Sequence, residues 1–324
     1  MEEPGTRITG ESAADRLLVA VLGPTASGKS SLALSLAQGL GGEIVNCDSM
    51  QMIRQLNIGT AKPSRAEMTL VPHHLYDVID LNEFYSAGAY MDDARRICSE
   101  VANREKIPFV VGGTGLYLRA LLKGIFPGPG KKPDLRSRLK EISRRRGTEF
   151  LHRMLLRRDP ASAARIQATD EVRIVRALEV NLVTGDSILK LQKEHVPIEG
   201  YSVVKIGLNV AREELYDRIN RRVEWMFDAG LLQETERLLL SGFPPDSKGF
   251  EALGYRHAMA VVQGELSLEE SIELTQRETR RYAKRQMTWF RKEEDVHWIP
   301  LPGESAEAEA EALRILEKEN PDGV

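Results

Sequence analysis

The chain has 324 residues, 42% hydrophobic and 29% charged, a composition typical of a globular protein with one large core or two smaller ones. It contains only two cysteines, which excludes a disulfide framework and favours a reducing cytoplasm. No apolar run is long enough for a membrane span or resembles a signal peptide, so we expect neither a membrane anchor nor a leader.

The net charge of −3 conceals a strong asymmetry along the chain. Residues 131–176 carry 14 Lys and Arg against 6 Asp and Glu, and residues 277–292 carry 7 against 1. From residue 293 to the end, 10 acidic residues face 2 basic ones. A single basic helix is usually a solvated face, but two basic segments in one chain favour a polyanionic partner such as nucleic acid.

Short apolar runs alternate with amphipathic helical patterns in the first third of the chain, which is typical of an α/β fold with a parallel sheet. The predicted strands lie at residues 17–23, 43–48, 75–80 and 107–113. A helix is predicted after the first strand, where Leu32, Leu36 and Leu40 form one apolar stripe.

The composition changes at residues 124–136, where three prolines and three glycines mark a hinge-like connection. Strand patterns are absent beyond it, so residues 131–200 are predicted to form an all-helical insertion domain. Its helices are predicted at residues 134–146 and 148–158, and from Asp170 as N-cap to near Gly185.

A strand pattern returns at residues 201–210, which we expect to rejoin the sheet. The rest is predicted to be helical, including a long basic helix from about residue 267 to 292. The core domain would therefore consist of residues 17–130 and 201–300. Residues 301–324 would form an acidic C-terminal tail, either a short surface helix or frayed.

The stretch GPTASGKS, Gly23–Ser30, fits the phosphate-loop pattern G-x-x-x-x-G-K-[ST] between a predicted strand and an amphipathic helix. Backbone N–H groups and the helix N-terminus of such a loop bind anionic oxygens. Lys29 would reach a terminal phosphate, and Ser30 would help to ligate Mg²⁺. The pattern predicts a P-loop NTPase-like core, with ATP as the default occupant.

A carboxylate at the end of a neighbouring strand is expected beside such a loop. Asp48 closes the strand at 43–48 and Asp80 closes the strand at 75–80. Asp48 could hold a metal, act as a base on a second substrate, or cap a helix.

Two other features also have alternative interpretations. Thr114, in the turn GGTG after the strand at 107–113, is either a helix N-cap or a hydroxyl facing the same crevice. Arg218 and Arg222 lie four residues apart on one predicted helix face, a spacing that suits a diphosphate. A solvated basic face is the alternative for this pair.

Nine motifs follow one another along the chain from about residue 18 to residue 298: GPTASGKS, CDSMQ, NIGTAKP, PHHLYD, YSAGAY, VVGGTGLYLRALL, RALEV, GYR and AKRQMTWFR. The series resembles the tRNA dimethylallyltransferase family, also called tRNA isopentenyltransferases. The length and the lack of a C-terminal Cys/His zinc module resemble the bacterial branch.

The resemblance implies transfer of a dimethylallyl group from dimethylallyl diphosphate to N6 of adenosine 37, beside the anticodon of tRNA, with Mg²⁺. The phosphate loop would then hold the diphosphate of the donor rather than drive ATP hydrolysis. The basic segments would contact the backbone of the anticodon stem-loop.

Roles carried over from the family assign Asp48 as the general base, Thr114 as a contact to the target nucleotide, and Lys29 as a charge that neutralises the leaving group. The diphosphate site would comprise Gly23, Pro24, Thr25, Ala26, Ser27, Gly28, Lys29, Ser30, Arg218 and Arg222, with Ser30 as the metal ligand. The tRNA contacts would comprise Asp48, Ser49, Met50, Gln51, Thr114, Arg136, Val172, Arg173, Ile174, Val175, Arg176, Gly254, Tyr255 and Arg256. The last three of these contacts belong to a family segment that matches residues 251–256; an acid at Glu251 would not contact phosphate, so only the later part of that segment is carried over.

Two rival functions share some of these features. A P-loop kinase acting on a small metabolite would need the loop and Mg²⁺ but no basic helical insertion. A non-enzymatic RNA-binding module would use the loop as a nucleotide switch and leave tRNA chemically unchanged. The favoured hypothesis is a cytoplasmic, monomeric enzyme without membrane contact.

Overall fold

The computed structural model describes residues 16–126, 128–192 and 195–320. The chain divides into two compact units. The first comprises the described residues up to Leu121 and from Glu199 onward, and the second runs from Leu122 to Ile198. Each unit has its own cluster of buried apolar side chains.

The strands of the described chain are β1 Arg16–Leu22, β2 Glu43–Asn46, β3 His73–His74, β4 Pro108–Gly112, β5 Tyr201–Leu208 and β6 Val296–Ile299. They pair in parallel in the order β3–β2–β4–β1–β5–β6. Strands β1, β2 and β4 are buried along nearly their whole length, because apolar runs without alternation suit a sheet covered on both faces. The predicted α/β class and four of the five predicted strands are confirmed.

The helices of the described chain are α1 Lys29–Gly39, α2 Arg65–Leu70, α3 Ala87–Asn103, α4 Gly115–Lys123, α5 Pro133–Arg146, α6 Thr148–Arg158, α7 Pro160–Ala163, α8 Glu171–Thr184, α9 Ile188–Leu191, α10 Arg212–Asp228, α11 Leu231–Leu240, α12 Leu253–Val262, α13 Leu268–Phe290 and α14 Ala306–Glu319. Within these described residues, every helix is too short or too polar to cross a membrane.

The predicted strand at residues 75–80 is wrong. The observed strand β3 covers only His73–His74, directly before it. Leu75 and Asp77 have φ angles of 62° and 56°, and this left-handed backbone cannot continue a strand. Within this segment, Ile79 instead forms an isolated parallel β-bridge with Ile53.

The helical prediction for residues beyond 210 misses β6. This four-residue edge strand pairs with β5, with Ile206 opposite His297. The ring of Trp298 lies over Gly207, where a Cβ would come within 2.6 Å of the ring. A strand this short is fixed by its partner rather than by its own pattern.

Residues 301–324 were predicted to form an acidic tail, and the helix α14 occupies most of that segment. Its Ala308, Ala312 and Leu316 are fully buried in the same cluster as Leu32 and Leu36 of α1. The three positions recur every four residues, so the acidic residues occupy the other faces of a helix that belongs to the core. Residues 321–324 lie outside the described chain.

The regular secondary structure in the described part of the second unit is helical; α5, α6 and α8 match the three predicted helices, and the short helices α7 and α9 were not predicted. Its core includes the fully buried Leu151, Leu155 and Ile174. The buried carboxylate of Glu179 accepts hydrogen bonds from Arg136, Arg176 and the Lys132 N–H. Burial raises the pKa of Glu179, but these bonds outweigh burial and lower the pKa to about 2.

Candidate active site

A cavity of about 580 Å³ opens at the carboxyl edge of the sheet in the first unit. Ligands bind at this edge in open α/β sheets because the loops that follow the strands meet there. The wall residues that concern us are Thr25, Ala26, Gly28, Lys29, Ser30, Asp48, Ser49, Met50, Gln51, Arg218, Arg222 and Gly254. Residues 100 or more positions apart in the chain are thus brought together, as the sequence predicted for a single site.

The phosphate loop connects β1 to α1. Gly28 is the N-cap of α1 with a φ of 86°, a left-handed conformation that favours glycine. The first N–H groups of α1 have no acceptor within the helix, and they provide donors for an anion. Gly23, Pro24 and Ser27 are buried within the loop and do not line the cavity, so their contribution to the diphosphate site stays a prediction.

Asp48 lies two residues beyond β2, on the cavity wall. Its Oδ1 accepts the Met50 N–H at 3.0 Å, and its own N–H donates to Asn46 Oδ1 at 2.9 Å. No helix begins here, because Ser49 and Met50 form a turn, so the helix-cap interpretation of Asp48 is wrong. The carboxylate is fixed by its backbone while facing the cavity, as a base or a metal ligand requires.

Thr114 contributes to the same wall through Ser49. The Thr114 hydroxyl accepts the Ser49 N–H at 3.1 Å, and its carbonyl accepts the N–H groups of Tyr117 and Leu118 at the start of α4. The residue therefore begins the helix with its backbone and orients the Asp48–Ser49 turn with its side chain. The cavity-lining residues do not include Thr114 itself.

Asp80, the second candidate carboxylate, lies away from the cavity. It forms a salt bridge with Arg54 at 2.8 Å and accepts a hydrogen bond from Gln55. These contacts hold a surface turn, so of the two predicted candidates Asp48 is the carboxylate that lines the cavity.

Lys29 and Arg222 give the cavity a positive charge that burial makes unfavourable. Burial lowers the pKa of Lys29 to about 8, with Asp48 opposing the shift and Arg222 reinforcing it. Burial also lowers the pKa of Arg222, again opposed by Asp48. Two half-buried cations beside the carboxylate of Asp48 make a site in which a bound anion would be stabilised.

The two arginines of α10 differ in their contacts. Arg218 Nε donates to Ala26 O at 2.8 Å, and its Nη2 pairs with Glu304. Arg222 Nη2 makes one long contact, to Thr60 O at 3.4 Å. Its buried Nε has no hydrogen-bond partner within the described structure. The interpretation of this pair as a solvated basic face is therefore wrong.

The predicted tRNA contacts divide between the cavity wall and other positions. Gln51 lies on the wall, where its amide donates to Thr60 O and Ala61 O at 3.0 and 3.1 Å. Tyr255 is fully buried, and its hydroxyl bonds to Glu234 and to the Gly59 N–H, so its side chain supports residues 57–61 and is not open to tRNA.

Around the start of α12, the cavity wall includes Gly254, a predicted tRNA contact, together with residues 251–253, which the sequence-based assignment left out. Arg256 lies outside the cavity and pairs with Glu278 at 3.1 Å.

The tRNA contacts predicted in the second unit are also divided. Ile174 and Val175 are buried in its core, whereas Val172 is 79% exposed. The guanidinium groups of Arg136 and Arg176 are held by Glu179, at 2.7 and 2.6 Å. Val172 and Arg173 are the members of the predicted set that this unit leaves exposed, although Arg173 also pairs with Asp170 at 3.4 Å.

Gln286 on α13 is a site residue to which the sequence assigned no role. Its Oε1 accepts the Thr25 N–H at 2.9 Å, and its Nε2 donates to Gly113 O at 3.0 Å. One buried amide therefore joins the phosphate loop to the turn after β4. The motif AKRQMTWFR contained this signal, and the cavity is also lined by Arg285 of that motif and by Tyr282, directly before it.

A metal site made of protein carboxylates is not observed: the described residues contain no group of three or more His, Cys, Asp or Glu side chains that could hold an ion. Mg²⁺ commonly keeps several waters and is held by few protein ligands plus substrate phosphates. Ser30, on the cavity wall in the first turn of α1, suits this second type of site.

The chain is similar to known proteins over most of its length. The chain matches the family model described as IPP transferase over residues 51–293, and that described as isopentenyl transferase over residues 17–77. It is 48% identical to the tRNA dimethylallyltransferase of Geobacter sulfurreducens over 286 residues, which cover 88% of this chain and 92% of the relative. The chain belongs to the tRNA dimethylallyltransferase family. This confirms the resemblance inferred from the ordered motifs.

Other members of the family match over similar lengths. The tRNA dimethylallyltransferase of Koribacter versatilis is 46% identical, with 93% of this chain and 98% of the relative covered. The solved structure of the full-length tRNA isopentenylpyrophosphate transferase from Bacillus halodurans is 37% identical, with a TM-score of 0.68 and coverage of 94% and 98%. A eukaryotic dimethylallyltransferase described as acting on tRNA is 26% identical, with a TM-score of 0.78 and coverage of 94% and 78%. The family fold confirms the P-loop NTPase-like class.

Proposed function

We propose that this chain transfers the dimethylallyl group of dimethylallyl diphosphate to N6 of adenosine 37 in tRNA. The observation that carries the proposal is one cavity in which a phosphate loop, the carboxylate of Asp48 and the cations Lys29 and Arg222 face one another. A prenyl transfer needs these parts: a cradle for the leaving diphosphate and a base for the incoming amine.

The donor diphosphate would lie on the phosphate loop. The N–H groups at the start of α1, Lys29 and Arg222 would bind its oxygens, and the unpaired Nε of Arg222 supports this assignment. Mg²⁺ held by Ser30 and the diphosphate would supply further positive charge to the leaving group. Negative charge that develops as the C–O bond breaks is then met by groups already in position.

The acceptor amine would face Asp48. The exocyclic amine of adenine is a poor nucleophile because its lone pair is delocalised into the ring. The site must therefore position the amine and take its proton as the C–N bond forms. Asp48 suits this step because its backbone contacts hold it on the wall beside Gln51, which we assign to the adenine region.

The apolar part of the donor would contact α10. Ile219, Val223 and Met226 lie at helical spacing on the face that carries Arg218 and Arg222, and all three line the cavity. A short branched hydrocarbon attached to a diphosphate would thus find a cationic and an apolar wall on one helix.

The tRNA partner would be bound through its anticodon stem-loop, where an unpaired adenine leaves its stack at low cost. In the second unit, Arg173 and Val172 are exposed, and we assign them to the tRNA surface. The expectations of a cytoplasmic location and a monomeric state remain predictions.

The release of diphosphate tests the proposal against the rival kinase. We expect diphosphate to appear only when dimethylallyl diphosphate, Mg²⁺ and unmodified tRNA are all present, at one diphosphate per modified tRNA. Formation of ADP from labelled ATP on addition of a small hydroxyl substrate would favour the kinase. Tight tRNA binding without diphosphate release would favour the RNA-binding module.

The low pKa of Lys29 predicts a specific pH dependence of donor binding. Lys29 binds an anion in its protonated form, and this form is lost as the pH rises through about 8 in the free protein. The titration of Lys29 should therefore leave the affinity for inorganic diphosphate unchanged below pH 8. Above pH 8 it should lower that affinity by up to about tenfold per pH unit. The Cys47 thiol, with a pKa raised to about 12, and the Tyr282 hydroxyl, whose pKa is also raised, stay neutral throughout.

The variant Lys29→Arg is the control for this prediction, because a guanidinium remains charged over the whole range. Its diphosphate affinity, measured by calorimetry, should lose the decline above pH 8. A wild-type profile that stays flat, or an equal decline in Lys29→Arg, would assign the titration to another group.

A further inference from the structure

The segment before α14 crosses the phosphate loop. The Gly303 N–H donates to Ser27 O at 2.9 Å, and a Cβ at Gly303 would lie 2.4 Å from Gly28 O. Ser305 then caps α14 with its side chain, and that helix is anchored in the core. The backbone of Glu304 is therefore fixed directly above the loop, between a loop hydrogen bond and a helix cap.

The side chain of Glu304 reaches into the region where an anion would bind. Its Oε1 pairs with Arg218 Nη2, and its Oε2 lies 2.0 Å from the position that a Cβ on Gly28 would take. Glu304, Arg218 and Gly28 all line the cavity. A carboxylate thus occupies the mouth of the phosphate cradle and holds one of its two arginines.

We propose that Glu304 is an internal competitor of the diphosphate, an anion that must leave Arg218 before the donor or the product diphosphate can bind fully. This inference rests on the proposed function, since it assumes that the loop holds a diphosphate. The carboxylate of Glu304 and the phosphates would compete for the guanidinium of Arg218, and their negative charges would repel each other within the same cavity. The side chain of Glu304 is 44% exposed, so it can turn into solvent when the diphosphate enters.

The competition has a functional consequence for both ends of the reaction. An anion with several charges displaces the carboxylate more readily than one with a single charge, so Glu304 favours diphosphates over weaker anions. The same contact would weaken the hold on the diphosphate left after transfer, because Glu304 returns to Arg218. The residue would therefore trade affinity for selectivity and for product release.

Calorimetric titration of the full chain with inorganic diphosphate, with and without Mg²⁺, tests this inference. In Glu304→Gln the amide keeps the shape but loses the charge, and diphosphate should bind about three- to thirtyfold tighter than to wild type. Glu304→Ala should change affinity in the same direction. Glu307→Gln, three residues away in the first turn of α14, removes an equal charge without the loop contact and should leave affinity at the wild-type value.

Affinity that is unchanged or weaker in Glu304→Gln would overturn the proposal. Weakening only in the presence of Mg²⁺ would likewise overturn it, because Glu304 would then serve as a metal ligand. An equal gain in Glu307→Gln would attribute the effect to net charge and also contradict it. Failure of wild type and every variant to bind diphosphate would instead refute the donor site of the proposed function.

Discussion

Replacement of Asp48 by asparagine is expected to lower the rate of prenyl transfer by about 10²- to 10⁴-fold, the usual contribution of a general base. Asparagine keeps an oxygen for the Met50 N–H, so the turn after β2 should be preserved. Affinity for tRNA should be nearly unchanged. Affinity for diphosphate should be equal or slightly higher, because Asp48 is the carboxylate that offsets Lys29 and Arg222. Single-turnover kinetics and separate binding titrations measure these quantities.

The same variant distinguishes the two roles left open for Asp48. A metal ligand would show a fall in diphosphate affinity that depends on Mg²⁺, whereas a base would show a rate defect alone. Asp48→Ala should show the same changes in rate and affinity as Asp48→Asn. It should also be less stable, because the Met50 N–H loses its acceptor. Asp228→Asn, an exposed carboxylate at the end of α10, is the control and should retain full activity. Equal losses of rate and tRNA affinity in Asp48→Asn would show that Asp48 is structural.

Replacement of Arg222 by methionine is expected to lower kcat/KM for the donor by roughly a hundredfold or more. Its side chain is half-buried, has one long contact to Thr60 O, and leaves the buried Nε unpaired, so its charge is available to the diphosphate. The ligand-free protein should be no less stable than wild type, because the variant removes a buried charge with incomplete partners. Thermal unfolding should show that Arg222→Met without diphosphate is at least as stable as wild type, and that added diphosphate stabilises the variant less than it stabilises wild type.

The control for Arg222 lies on the same helix. Arg221 is exposed and outside the cavity wall, so Arg221→Met should keep both the donor kinetics and the stability of wild type. Arg222→Lys should recover part of the activity, because an ammonium supplies charge but not the planar fork. A stability loss in Arg222→Met without a change in donor KM would contradict the assigned role.

Much of the fold could be predicted because local chemistry determines it. The loop Gly23–Ser30 needs glycine at Gly28 for its left-handed backbone, and the pattern carries that requirement in the sequence. The helix α8 begins at the cap Asp170 and ends before Gly185, as its terminal residues predicted. Asp48 could be found because a carboxylate after a buried strand lies at the ligand edge of the sheet.

The remainder depends on contacts that are distant in the chain. The burial of Tyr255 follows from Glu234 and Gly59, and the pairing of Arg136 follows from Glu179, and no local pattern indicates either contact. The role of Glu304 was concealed because an acidic, alanine-rich stretch resembles a solvated tail. Only the packing of α14 against α1 places that glutamate over the phosphate loop.

The most direct test of the central claim is the mass of the nucleosides in tRNA treated with the protein. Unmodified tRNA would be incubated with dimethylallyl diphosphate and Mg²⁺, digested, and analysed by mass spectrometry, with Asp48→Asn as the matched control. We expect an adenosine that has gained one dimethylallyl group, located at position 37 by sequencing of the fragments, and a greatly reduced yield with the variant. Complete absence of this nucleoside across a full set of unmodified tRNAs would contradict the proposed function.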